Sequence, residues 1–376
     1  MAGIYIHIPF CKSKCIYCNF YSVASSTYID LFFESLQKEI LLQKNYLENE
    51  KIETIYFGGG TPSLLPSSYI SKIIEQIHKT FDVINNSEIT LEANPDDVSS
   101  AKLKEWKSAS INRLSIGVQS FDDEDLKYLK RAHNASQAEA SVKRSQDAGF
   151  ENLSIDFIYG IPSQAEEAWK ENIHKAVSFL VPHISAYCLT VEEKTLLYKQ
   201  IQSKKVQPID EEQGISHFRI LIDEMKKNNY LHYEISNFCK DGYFSKHNTS
   251  YWKGCKYLGL GPAAHSFNIL SRQWNEASLP KYLKSISEGK LPAEKEILTT
   301  EQKLNEYILT SLRTMWGCDL QHIEKTFGGS EKSRIVNLSK KYSEKKYIEI
   351  NDNKIFLTDV GKLFADGIAS DFFITD

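Results

Sequence analysis

The chain contains no apolar run approaching the ~20 residues that a membrane-spanning helix needs. It has no basic start either. "MAGIYIHIPF" moves straight into strand-like residues, so a cleaved export signal is not expected. A cationic excess is missing as well. The 45 Lys and Arg face 49 Asp and Glu, a net charge of −4 that argues against nucleic acid as the main partner. There is no internal repeat and no low-complexity tract. The Lys/Ser/Glu-rich stretch from Ser330 to Lys346 has the pattern of a solvated helical face. Cysteine is scarce and odd in number. Seven in 376 residues make no disulfide framework and point to a reducing cytoplasm.

What the chain does have is a concentration of three of those cysteines. Cys11, Cys15 and Cys18 stand in "YIHIPFCKSKCIYCNFYS" with the spacing CxxxCxxC, directly after a short apolar strand. Three thiolates on one tight loop can hold three irons of a cubane cluster and leave the fourth open to a small ligand, unlike electron-transfer clusters closed by four cysteines. Structural zinc sites usually pair two short cysteine knuckles, and no second knuckle follows here. The bland alternative is three unconnected thiols. Cys188, Cys239, Cys255 and Cys318 are scattered and read as ordinary core residues.

Six strand-then-helix units can be read from the first half. Strand signals lie at 4–8, 54–57, 88–93, 113–118, 152–158 and 183–189, with helical patterns including 28–47, 69–81, 136–148 and 166–180. Such alternation predicts an α/β fold with a parallel sheet and right-handed crossovers. Six units are too few for an eight-stranded barrel, so a partial (β/α)6 barrel is expected, with function at the C-terminal ends of its strands. We expect residues 1–210 to form this barrel and 211–291 to close it. From 292 the composition shifts, predicting a long amphipathic helix carrying Leu304, Ile308 and Leu312, a hairpin turning at 351–353 and a closing helix. Together these suggest a small winged-helix-like C-terminal domain.

Several strand ends carry unusual residues. Gly58, Gly59 and Gly60 follow the second strand and let a ligand approach the backbone closely, although Ser63 fails a dinucleotide-binding fingerprint. Glu92 and Gln119 stand at the tips of the third and fourth strands. Asp156 interrupts an apolar fifth strand, where a carboxylate is costly without a partner.

Together these motifs resemble the radical S-adenosylmethionine (SAM) superfamily over most of the chain. The resemblance implies a [4Fe-4S] cluster on Cys11, Cys15 and Cys18, with SAM chelating the open iron and cleaved to a 5′-deoxyadenosyl radical upon one-electron reduction. It implies SAM contacts from Tyr5, Tyr17, the Gly59-Gly60-Thr61 segment, Glu92, Gln119, Arg131 of "LKRAH" and Asp156. "GIYIHIPFC" and "CNFYS" are similar to the branch that holds oxygen-independent coproporphyrinogen III dehydrogenases and heme chaperones.

Within that branch the dehydrogenases resemble CxxxCxxCxC, and here the fourth position is Phe20; Thr190 departs from their pattern too. His247, Asn248, Tyr251 and Trp252 instead spell HNxxYW, which is similar to the heme-chaperone pattern. That implies heme near His247, an unidentified heme-acceptor protein as partner, and an electron donor if SAM is cleaved. Read from the residues alone, the same segment is also compatible with a capped turn carrying a satisfied histidine and core aromatics, and Cys239, Cys255 and His265 are further candidates for iron.

Overall fold

The computed structural model describes residues 1–374. The N-terminal part alternates as β1 (Ala2–Ile8), α1 (Ile29–Leu42), β2 (Ile52–Gly59), α2 (Ser67–Thr80), β3 (Val83–Ala93) and α3 (Ser100–Ser108). It continues with β4 (Arg113–Gln119), α4 (Asp123–Tyr128), α5 (Ala135–Asp147), β5 (Asn152–Tyr159), α6 (Glu166–Ser178) and β6 (His183–Cys188). β1 to β6 lie side by side in sequence order, and every neighbouring pair is parallel.

One face of each strand is apolar. Ile4, Ile6 and Ile8 of β1 are wholly buried and share a core with Phe32, Leu36 and Ile40 of α1. The alternate residues Tyr5 and His7 therefore point to the opposite, concave side, as the period of a strand requires. Tyr56, Glu92, Ser115 and Asp156 share that side. It is this polar concave face that positions the site.

After α7 (Leu196–Gln202) and α8 (Glu211–Lys227), the strands β7 (Leu231–Glu234) and β8 (Asn237–Cys239) extend the sheet past β6. Beyond α9 (Lys246–Trp252), β9 (Lys256–Leu260) returns to pair in parallel with β1. The order β12-β11-β10-β9 then continues outward through β10 (His265–Phe267), β11 (Ser271–Asn275), α10 (Leu279–Ser287) and β12 (Ala293–Ile297). The result is one twelve-stranded sheet.

Residues 293–297 depart from the expected helix. They pair antiparallel with β11 as the sheet's edge, and the amphipathic helix starts only at α11 (Thr300–Leu312), where Thr299 and Gln302 form a capping box. A separate core holds the C-terminal part. It contains Leu304, Ile308 and Leu312 of α11 with β13 (Cys318–Asp319), α12 (Leu320–Phe327), α13 (Gly329–Glu344), the hairpin β14 (Ile348–Asn351) and β15 (Lys354–Leu357), and α14 (Ala365–Asp371).

Candidate functional site: three thiols ringed by strand tips

The cysteine loop is fastened at its base and at its crown. At the base, the Cys11 N–H donates to Val23 O at 3.1 Å and the Val23 N–H to Pro9 O at 2.7 Å. His7 Nε2 donates to the Tyr21 carbonyl at 2.9 Å, which leaves Nδ1 to accept from the Tyr5 hydroxyl at 3.2 Å. At the crown, Ile16 is buried with Leu129, Ile158 and Leu197, and its carbonyl accepts the Leu197 N–H at 2.8 Å. The cysteines are therefore held on a braced loop, each partly exposed.

A chain of hydrogen bonds links two of the thiols across the strand tips. The Thr61 hydroxyl donates to Cys11 Sγ at 3.5 Å, and Asn94 Nδ2 donates to Thr61 Oγ1 at 3.5 Å. Arg131 Nη2 donates to Asn94 Oδ1 at 2.7 Å and to Gly117 O at 3.0 Å, while Nη1 donates to Cys15 Sγ at 3.3 Å. Arg131 Nε is buried without a partner, an orphan donor beside the thiols. The Tyr17 phenol lies next to this guanidinium.

Glycine is required at the rim. A Cβ on Gly60 would stand 2.6 Å from Phe10 O and 3.1 Å from Cys11 Sγ, and Gly59 has φ +108° with the His7 ring 2.6 Å from its would-be Cβ. Gln119, at φ +64°, ends β4 in a left-handed conformation uncommon for a residue with a side chain.

The concave face also carries two acids, each half-buried. Glu92 accepts from the Tyr56 hydroxyl at 2.8 Å and the Gly59 N–H at 3.2 Å. Asp156 accepts from the Ser115 hydroxyl at 3.0 Å and the Ser154 hydroxyl at 3.5 Å. Burial raises both acids, and the charge of Asp156 adds to the rise at Glu92. Glu92 comes to about 7 and Asp156 to about 6.

Two half-buried acids, an arginine donor without a partner and three thiols thus stand on this face and at its rim. No three His, Cys, Asp or Glu side chains among the described residues converge on a single metal ion. The cysteines of a cubane each bind their own iron, so the loop fits a cluster on this count.

A family model described as the Radical SAM superfamily matches residues 5–176, and a second, the HemN C-terminal domain, matches 298–364. The chain is 33% identical over 376 residues to the heme chaperone HemW of Bacillus subtilis, covering 99% of each chain. The chain belongs to the HemW family of radical SAM proteins. HemW of Haemophilus influenzae is 31% identical, with 100% of this chain and 98% of the relative covered. A mitochondrial radical S-adenosyl methionine domain-containing protein 1 of Danio rerio is 32% identical, over 86% and 75% of the two chains. Among solved structures, coproporphyrinogen III oxidase (HemN) of Escherichia coli superposes with a TM-score of 0.85 over 99% of this chain and 90% of that one. At 20% identity the likeness is one of fold.

In this HemW-family chain the HNxxYW segment forms α9, capped by Ser245, whose side chain accepts the Asn248 N–H. The backbone N–H groups of Lys246 and His247 donate to the Glu88 carboxylate. His247 is 1% exposed and stacks on Tyr56 at 4.9 Å. Its Nδ1 is hydrogen bonded to the Thr54 hydroxyl and its Nε2 to the Tyr251 hydroxyl, both at 2.7 Å. Burial lowers its pKa to about 3, so the ring is neutral. Tyr251 packs edge-on against Tyr257, and Trp252 lies under the Arg313 guanidinium.

The sequence did not single out Tyr56, Asn94 or Ser115, which hold Glu92, Arg131 and Asp156. Asn94 and Tyr56 could have been found by the strand period, since Asn94 shares a face with Glu92, and Tyr56 with Gly58.

Proposed function

We propose that this chain binds a [4Fe-4S] cluster on Cys11, Cys15 and Cys18, holds SAM over the strand tips, and carries heme to an acceptor protein in the cytoplasm. The observation that carries this reading is the hydrogen-bonded chain from Cys11 through Thr61, Asn94 and Arg131 to Cys15, in a protein of the HemW family. When bound, the cluster supplies one electron at an iron open to SAM. The residues of the chain bind and orient. Arg131 faces a carboxylate with a donor to spare, Glu92 and Asp156 balance cationic groups, and Gly59 and Gly60 let backbone approach the ligand. Heme carriage comes from the relatives' names and from Phe20, which stands where the dehydrogenases resemble a fourth cysteine and is 67% exposed.

Anaerobic reconstitution with iron and sulfide, followed by hemin titration, tests the reading. Wild type should hold about four irons and one heme per chain and pass the heme to an apo-hemoprotein. Alanine at Cys11, Cys15 or Cys18 should abolish the cluster absorbance, whereas alanine at Cys188, Cys239, Cys255 or Cys318 should leave it intact. Formation of protoporphyrinogen from coproporphyrinogen III, with SAM and reductant, would replace the chaperone reading by a dehydrogenase.

A further inference from the structure

The bonds between Cys11 and Cys15 have only one possible direction. A guanidinium donates and never accepts, so Asn94 Oδ1 is the acceptor and Nδ2 is turned toward Thr61 Oγ1. That oxygen accepts from Asn94 and gives its own hydrogen to Cys11 Sγ. The far side of the guanidinium, Nη1, donates to Cys15 Sγ. Two of the three sulfurs thus receive hydrogen bonds from one linked set of side chains that carries a positive charge. Cys18 is outside the set. No side-chain donor among the described residues reaches it, and its hydrogen bond comes from the Phe20 backbone.

Asn94 is the hub, and it is held still. It follows β3 directly and precedes Pro95, whose ring fixes the chain beyond it. Its N–H donates to the Ser63 hydroxyl at 3.3 Å, and its carbonyl accepts the Asp97 N–H at 2.9 Å. The Ser63 hydroxyl donates to Asp97 Oδ2 at 2.8 Å, and both residues are buried. Asp97 Oδ1 lies 2.5 Å from Lys12 Nζ, so a second route from Asn94 returns to the cysteine loop one residue past Cys11. With its backbone fixed on both sides, the amide has one place to point each end.

Reduction adds a negative charge to a cluster. Hydrogen bonds to its sulfurs, or a cation beside them, stabilise that charge and raise the reduction potential. The Arg131 bond at 3.3 Å is charge-assisted and outweighs the neutral Thr61 bond at 3.5 Å. Asn94 itself donates to neither sulfur, yet it orients both donors.

Resting on the cluster reading above, we propose that Asn94 is a positioning residue that sets the reduction potential of the cluster, by aiming the Thr61 hydroxyl at Cys11 and the Arg131 guanidinium at Cys15.

The test is a dithionite titration with mediator dyes, followed by electron paramagnetic resonance, on the reconstituted chain without SAM. Wild type, Thr61→Val, Thr61→Ser, Asn94→Leu and the Thr61→Val/Asn94→Leu pair are compared, each with its iron content. Thr61→Val should shift the one-electron equilibrium about threefold toward the oxidised form, the weight of one neutral hydrogen bond, and Thr61→Ser should restore it. Asn94→Leu should shift it about tenfold, a fall of about 59 mV. The pair should fall no further than Asn94→Leu alone, because the hydroxyl has already lost its aim. A wild-type potential in Thr61→Val would overturn the proposal whether or not Asn94→Leu takes up a cluster, and so would strictly additive shifts in the pair. Both outcomes leave the cluster reading standing. A wild-type chain that takes up no four-iron cluster would instead overturn the cluster reading itself.

Discussion

Glu92 and Asp156 are acids held above their ordinary range, and the sign of their effect on ligand binding follows. Near pH 6 Glu92 is mostly protonated; a cationic ligand such as SAM favours its ionised form and releases the proton on binding. Affinity for SAM should therefore rise with pH across the window from about 6 to about 7 set by the two acids, by about tenfold between pH 6 and 8. Calorimetry in two buffers of different ionisation enthalpy would show the released proton; a flat affinity would remove Glu92 from the site. For folding the sign is opposite. Both acids bind protons more tightly folded than unfolded, so their contribution to stability declines as pH rises from about 4 to 7. At this scale the sequence displayed the groups with distinctive chemistry, namely the cysteines, Glu92, Arg131 and Asp156. It did not display Tyr56, Asn94, Ser115 or His7, because a hydroxyl, amide or imidazole becomes a partner only once strand register is set.

Among the elements, β1 to β6 were legible because alternate apolar residues mark one face of each strand and helical patterns separate them. β12 was not. "AEKEI" has the Glu and Lys content of a helix, and what makes it a strand is the open edge of β11, where charged side chains also discourage pairing with other chains. α9 carries a second prediction. Replacing Thr54 by Val keeps the shape but strands His247 Nδ1 in a dry interior, at a cost of about 1–3 kcal/mol. The midpoint of thermal unfolding should fall while iron content after reconstitution stays at the wild-type value. An unchanged midpoint would mean that the imidazole is not clamped as described.

Across the whole molecule, contacts from β7, α9 and β11 join the sheet to the C-terminal unit. The Met315 N–H donates to Tyr233 O at 2.9 Å, Arg272 pairs with Glu306 at 2.6 Å, and Lys253 lies over the Trp316 ring. The contact between Arg313 and Trp252, 5.4 Å from cation to ring centre, joins the end of HNxxYW to the C-terminal unit. A double-mutant cycle at these two residues should return a coupling of about 0.5–2 kcal/mol. Additive single effects would mean that the motif and the C-terminal unit are held together elsewhere. That tryptophan belongs to this junction was hidden in the sequence, since the spacing HNxxYW shows neighbours along one helix and nothing of what faces them.

The braced thiol loop also has a place in time. Cys15 and the arginine that donates to it are 116 residues apart, and Leu197, which closes over Ile16, is farther still. A ribosome adding about 5–20 residues per second needs roughly 6–23 s to cross the first of those gaps. Throughout that interval the three thiols emerge, face solvent and oxidants, and have neither guanidinium nor crown. Iron and sulfide delivered to the nascent chain would find ligands without a receptor, so on the proposed reading cluster insertion is expected to follow synthesis through β6 and α7.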